Sequence, residues 1–236
     1  MIRGKSYYSR LISISMALGK LQTLIIQMLA KSDLKDRFYW SGGTLLAEKY
    51  LHHRYSYDVD LFTDKPFRYE EVKSFISTLQ GQAGLSKIDE HKIFDRWEFF
   101  LHNHEEVRCE FVWYDFPALK PRRRWQGVLV DSLEDLAANK CMATMDRHEP
   151  KDVVDLYFIL TKTKLTMPTM LKLAGKKFGL KVSLSTCYSE ILRSCENLST
   201  IKPLLFGSSA NQQTTIREIQ SFFSTTSARW LRRELR

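Results

Sequence analysis

The sequence predicts an α+β head joined to an all-helical tail. Three observations carry that expectation. Aromatic and β-branched runs that read as strands cluster between Tyr57 and Val130. Segments with helical spacing are interleaved with them over the same stretch. From Pro168 onward every segment reads as helix. Mixed elements followed by helices alone mark α+β architecture. The transition falls near 125–165, which divides the chain into a head over 1–130 and a helical part over 131–236.

The elements follow in order. Tyr7 to Lys31 reads as an amphipathic helix or helix pair. Thr44 to His53 has Leu45, Leu46, Tyr50 and Leu51 at spacings that bury one side of a short helix. Tyr57 to Phe62 alternates as a strand, and Val72, Phe75, Ile76 and Leu79 give Tyr69 to Leu79 a helical period. "KIFDRWEFFLH" and "EVRCEFVWYDF", separated by "NHEE", predict a two-stranded hairpin. "PRRRWQG" reads as a loop and Val128 to Val130 as a short strand. Ser132, with Asp135 three residues on, resembles a capping box that starts a helix running to about Arg147. Pro150 interrupts the pattern. "KDVVDLYFILTK", "PTMLKLAGKKFG", "SLSTCYSEILRSCENL" and "TTIREIQSFFSTTSARWLRREL" then give successive helices.

Composition bounds the class. With 236 residues, 44% hydrophobic and 27% charged, the chain is globular. No apolar run approaches the ~20 residues of a membrane span. The N-terminal apolar stretch is broken by Lys20, Gln22 and Gln27 and shows no small-residue cleavage site, so a cytoplasmic protein without membrane contact is expected. The four cysteines form no C-x-x-C pair and read as reduced core thiols. The net charge is +9, and residues 151–236 carry most of it, with 14 Lys/Arg against 6 Asp/Glu. Such a surplus attracts polyanions such as nucleic acid, or is a solvated helical surface.

The chemistry concentrates in "WSGGTLLAEKYLHHRYSYDVDLF" (Trp40 to Phe62). Alternate residues of a strand face one side, so Asp58 and Asp60 point together while Val59 and Leu61 face the core. Two neighbouring carboxylates repel, and a hard divalent cation relieves the repulsion; carboxylates are ligands that Mg²⁺ accepts. Gly42 and Gly43 let a ligand approach the backbone, and they precede Thr44 at a helix start, where free N–H groups favour phosphate. Phosphate loop, helix and metal-binding strand together suit phosphoryl or nucleotidyl transfer. Taken singly, Gly-Gly is an ordinary turn and D-x-D an exposed strand edge.

"GGTLLAEKYLHHRYSYDVDLF" resembles the signature of the nucleotidyltransferase superfamily, and more narrowly that of the AbiEii/AbiGii toxin family. "VDSLEDLAANKCMATMDRHEPKDVVDLYFIL" is similar to that family's second block, so the resemblance covers about residues 38–162. It implies a nucleotidyltransferase-like mixed sheet with flanking helices and a toxin of an abortive-infection or toxin–antitoxin system. Such a toxin moves a nucleoside monophosphate from an NTP to an acceptor, for which the 3′ end of a tRNA is favoured. It also implies Mg²⁺ and a separately encoded antitoxin partner. Residue by residue, it implies that Gly42 and Gly43 hold the triphosphate and that Asp58 and Asp60 bind Mg²⁺. Lys140 contacts phosphates, Asp152 (or Asp155) is the acidic residue of the last motif, and Arg54, Arg147 and Lys151 line the pocket. A third carboxylate on a neighbouring strand falls to Glu110, as metal ligand and general base, or else Glu110 only pairs with Arg108. Asp152 could equally cap its helix, and Lys140 could snorkel.

Other readings stay open on sequence alone: a non-catalytic nucleotide- or RNA-binding module, or a phosphotransferase acting on a protein or small molecule. His52 and His53 are adjacent and diverge on a helix. His102 and His104 lack a carboxylate or Cys at zinc-ligand spacing. Trp97, Phe99, Phe100, Phe111 and Trp113 read as core, and Pro121 to Arg124 as an RNA-touching or solvated loop.

Overall fold

The computed structural model describes residues 18–234. A seven-stranded mixed sheet organises the molecule. Its strands are β1 (Tyr39–Ser41), β2 (Asp58–Thr63), β3 (Lys87–Ile93), β4 (Arg96–His102), β5 (Glu106–Trp113), β6 (Arg123–Trp125) and β7 (Val128–Val130). They lie in the order β3-β4-β5-β2-β1-β7-β6. The β2–β5 and β1–β7 pairs are parallel and the remaining neighbours antiparallel.

Helix α1 (Lys20–Leu29) buries Leu21, Ile25, Ile26 and Leu29. The part of the expected N-terminal helix before residue 18 lies outside the described residues. Helix α3 (Tyr69–Ala83) inserts Val72, Phe75, Ile76 and Leu79, the four apolar positions of its sequence period. Phe75 and Phe38 both meet Phe111 of β5 edge-on, at 5.9 and 5.2 Å. Val59, Leu61, Phe99, Leu101, Cys109 and Phe111 belong to the same core, so α1 and α3 cover one face of the sheet.

The other face stays open between the sheet and two helices, α4 (Leu133–Asp146) and α5 (Pro150–Lys162). The Ser132 hydroxyl accepts the Asp135 N–H and so caps α4. Pro150 opens α5 at a position where its missing N–H costs nothing. Helices α6 (Met167–Phe178), α7 (Leu184–Cys195) and α8 (Ser209–Glu234) then pack behind α4 and α5. One hydrophobic cluster runs from Leu21 to Phe223. All four cysteines are buried free thiols.

Three local expectations are corrected. "KIFDRWEFFLH" is not one strand: Phe94, at φ 48 and 91% exposed, turns the chain between β3 and β4. "PRRRWQG" contains β6, whose Trp125 stacks on Trp40. The helix expected over Thr44–His53 begins at Gly42 as α2 (Gly42–Leu45), widens into a π turn over Leu46–Leu51, and stops at His52 in the left-handed region.

Candidate active site

Strand β2 alternates half-buried and buried positions, so Asp58, Asp60 and Phe62 share the open side while Val59, Leu61 and Thr63 enter the core. A cleft of about 840 Å³ opens over them. Antiparallel pairing sets Ser41 opposite Asp60 and delivers the glycine turn to the aspartates. Gly42 has φ +75, and a Cβ there would sit 1.7 Å from Asp60 Oδ2. No other residue fits both the backbone and the neighbour. Gly42→Ala is expected to cost about 1–3 kcal/mol in backbone strain alone and to displace Asp60. Chemical denaturation together with an NTP-binding titration would read both effects. A variant with unchanged stability and binding would disprove the close approach.

Parallel register aligns Asp58 with Arg108 and Asp60 with Glu110, and β4 aligns Glu98 with Glu110. Arg108 donates to Asp58 through Nε at 3.3 Å and Nη2 at 2.8 Å, and its Nη2 also lies 3.0 Å from Glu110. Arg96 Nη1 reaches Glu110 Oε2 at 3.4 Å. Burial, with Glu110 and then Asp58 as like-charged neighbours, pushes the Asp60 carboxyl up to about 7. Burial also raises Glu110 against the pull of Arg108 and Arg96. Among the described residues no three His, Cys, Asp or Glu side chains form a ready-made metal cage. Mg²⁺ does not require one, because it is commonly held by one or two carboxylates together with substrate phosphates and water. Asp58 and Asp60, electrostatically strained and facing the cleft, fit that donor set. Glu110, expected as a third ligand, lines the same cleft and is paired with Arg108 and Arg96.

The cleft floor is cationic. A Cβ on Gly43 would lie 2.7 Å from Arg54 Nη2 and 3.6 Å from Lys140 Nζ, so both cations sit directly beneath the glycine turn. Arg54 is 1% and Lys140 6% exposed, and charges this deep need partners. Asp155 supplies them. It accepts from Arg54 Nε at 2.7 Å and Nη2 at 2.9 Å, and lies 2.6 Å from Lys140 Nζ and 2.7 Å from His53 Nε2. Asp152 accepts from Lys140 at 2.7 Å and from Arg147 Nε at 2.8 Å. Burial alone would raise both aspartates, but these cations overcome it: Asp152 falls below the ordinary carboxylate range and Asp155 well below it. Burial pulls the His53 imidazole down, against its bond to Asp155.

The cleft therefore gathers Gly42, Gly43, Arg54, Asp58, Asp60, Glu110, Lys140, Arg147 and Lys151. Three expected positions lie behind its wall. Thr44 is fully buried and bonds Ser56 Oγ at 2.8 Å and the Asp58 carbonyl. Asp152 and Asp155 are fully buried in the ion network, and Asp152 caps nothing: Glu149 holds the N-cap position. Lys140 does not snorkel to water but ends between the two aspartates. Sequence reasoning passed over Arg96, Phe62, Tyr114 and Asn139, which also line the cleft. Phe62 was visible as the next same-side position after Asp60. The other three depend on cross-strand or helix-to-sheet contacts.

Comparison with known proteins places this arrangement. An uncharacterized protein of Aquifex aeolicus (strain VF5) is 28% identical over 165 residues, spanning 68% of this chain and 76% of that one. The crystal structure of JHP933 from Helicobacter pylori superposes with a TM-score of 0.56 at 17% identity, covering 90% of this chain and 93% of that one. MenT4, a nucleotidyltransferase toxin from Mycobacterium tuberculosis, superposes at 0.54 with 14% identity, covering 89% and 84%. These two likenesses establish the fold. The family profile described as nucleotidyl transferase AbiEii toxin, type IV toxin–antitoxin system, matches residues 24–193, which contain both the glycine turn with its aspartates and the buried ion network. The chain accordingly belongs to the AbiEii nucleotidyltransferase toxin family.

Proposed function

We propose that this nucleotidyltransferase moves a nucleoside monophosphate from an NTP to the 3′-hydroxyl of a tRNA, with Mg²⁺, and that a separately encoded antitoxin restrains it. The observation that carries the reading is the contact between Gly42 and the Asp60 carboxylate directly above Arg54 and Lys140. It brings the side-chain-free turn between the paired acids and the two buried cations.

Gly42 and Gly43 leave the backbone free of side chains where the triphosphate lies. Arg54 and Lys140, fixed by Asp155 and Asp152, neutralise its phosphates from below. Arg147 and Lys151 add positive charge at the rim; Lys151 Nζ lies 4.0 Å from Asp58 and 2.9 Å from Glu149. Asp58 and Asp60 hold Mg²⁺, which supplies charge neutralisation at the reacting phosphate and at the departing pyrophosphate. Arg108 keeps the Asp58 carboxylate oriented toward the cleft. Glu110, with its raised proton affinity, takes the proton of the attacking hydroxyl. The helical part from residue 131 presents the basic surplus, including the exposed Arg229, Arg232 and Arg233 of α8, to the acceptor's phosphates. Among the described residues no helix is long and apolar enough to cross a membrane.

Incubation with each α-labelled NTP, Mg²⁺ and total tRNA is expected to label RNA, and Asp58→Ala to reduce labelling by at least ~10³-fold. Label in protein and not in RNA would overturn the acceptor assignment, and label entering the product from a γ-labelled NTP would overturn nucleotidyl transfer itself.

A further inference from the structure

The open side of the sheet changes character along its strands. On β2 it runs Asp58, Asp60, Phe62; on β5 it runs Arg108, Glu110, Val112 and then, past the strand end, Tyr114. The strands are parallel and in register, with Phe62 beside Val112, so the cleft passes from charged to apolar within one strand repeat of roughly 7 Å. Phe62 and Tyr114 are 4.8 Å apart between ring centroids. Phe178 of α6 stands edge-on to Tyr114 at 6.5 Å and also lines the cleft, as does Met142 of α4. This apolar end and the glycine turn with its cations line the same cleft.

One polar group interrupts the apolar wall. Asn139, the residue before Lys140, lines the cleft, and its Oδ1 accepts from the Tyr114 hydroxyl at 3.4 Å. Burial raises the Tyr114 pKa, with Asp131 and Asp135 adding to it, so the phenol keeps its proton and donates. That bond fixes the amide with Oδ1 toward Tyr114. The Nδ2 donor has no protein partner among the described residues.

We propose that Phe62, Val112, Tyr114, Met142 and Phe178 form the subsite for the nucleobase of the NTP, and that Asn139, oriented by Tyr114, selects guanine and uracil, which carry a carbonyl at purine C6 or pyrimidine C4, over adenine and cytosine, which carry an amino group there. The inference rests on the nucleotidyl-transfer reading above and deepens it. Aromatic and apolar side chains accept any base face and give affinity without choice. Choice comes from the edge. A fixed N–H donor meets O6 of guanine or O4 of uracil with a hydrogen bond, but faces another donor at the amino group that adenine and cytosine carry in that position. A donor left unpaired on burial is the costly outcome, and it makes such a site discriminate. Tyr114 is a positioning residue: it holds the amide without itself reading the base.

The test is binding, measured calorimetrically with Mg²⁺ for ATP, CTP, GTP, UTP and base-less ribose 5′-triphosphate. The wild-type protein is expected to bind GTP and UTP about tenfold or more tighter than ATP and CTP, and ribose triphosphate more weakly than GTP or UTP. Asn139→Asp, which replaces the donor with an acceptor at constant shape, is expected to shift the ranking toward ATP and CTP. Tyr114→Phe, which keeps the ring and frees the amide, is expected to flatten the ranking. Equal wild-type affinity for all four nucleotides, or a ranking unmoved by both variants, overturns the base-reading role while leaving the triphosphate site standing. Equal binding of NTPs and ribose triphosphate overturns the subsite itself. Failure of every triphosphate to bind refutes the transfer reading and this inference with it.

Discussion

Replacing Asp60 by Asn is expected to abolish nucleotidyl transfer while making the metal-free protein more stable above pH 7. Both effects have one origin. Asp60 lies among Glu110, Asp58 and the low-dielectric sheet, and burial with those like charges lifts its carboxyl from 3.8 to about 7. The folded protein therefore binds more protons than the unfolded chain between about pH 4 and pH 7. Stability falls as pH rises through that window and stays low above it. The shift sets an upper limit of ~4 kcal/mol on the penalty; sharing of the proton with Glu110 reduces what Asp60 alone contributes. Asn has the same shape, so it can occupy the space against Gly42 without the charge. Thermal unfolding in a chelator at pH 5 and pH 8 should show the variant gaining stability over the parent only at the higher pH. Adding Mg²⁺ should stabilise the parent and leave the variant largely unmoved, since one of two carboxylate ligands is gone. A variant less stable than the parent at pH 8 would mean that Asp60 is held by attraction rather than crowded by like charge. A site crowded by like charge trades folding stability for cation affinity, as functional sites commonly do.

How much of this was legible in the sequence depended on the range of the contacts involved. The period-2 alternation of "DVDLF" placed Asp58 and Asp60 on one flank because strand geometry is local, and the structure has them so. A helical period placed the buried face of α3 for the same reason. Three strands escaped notice for three separate physical reasons. β1 is only three residues long and runs straight into Gly42. β3, "KIDEHKI", is an edge strand without a fully buried position, so it lacks the apolar alternation that marks a strand. β6 is the opposite edge and holds two exposed arginines. The turn at Phe94 carries no Gly, Asn or Asp at its positive-φ position and so gave no turn signal. The site divides along the same line. Arg108 sits two residues from Glu110, but its capture of Asp58 depends on a register between β2 and β5 that joins positions 50 residues apart. The function of Asp155 was equally hidden. Its spacing from Asp152 suggested a pair on one helix face, but only the fold reveals that Arg54, 101 residues earlier, closes onto it.

That closure makes Asp155→Ala the most damaging single change expected in the molecule. The carboxylate is fully buried and is shared by Arg54, Lys140 and His53. Removing it leaves Arg54, itself 1% exposed, without its carboxylate partner. Lys140 keeps only Asp152, which Arg147 also claims. Breaking a buried ion network from one side costs about 3–5 kcal/mol, because the stranded charge keeps its desolvation penalty and loses its compensation. That is a large fraction of the 5–15 kcal/mol that holds a typical domain together. Asp155→Asn should cost less, since the amide retains one acceptor for Arg54. Asp58→Ala, by contrast, removes a partly exposed carboxylate paired with the equally exposed Arg108, and is expected to move stability by no more than ~1 kcal/mol while still eliminating transfer. Urea denaturation of the three variants at pH 7 would establish the ranking. Its pH dependence should run opposite to that of Asp60. Arg54 and Lys140 hold Asp155 well below the ordinary carboxylate range, so its contribution is complete above about pH 4 and is lost as acid protonates it. If Asp155→Ala unfolds at the same urea concentration as Asp58→Ala, Arg54 and Lys140 do not depend on Asp155, and the cationic floor of the cleft is held by something other than the network described.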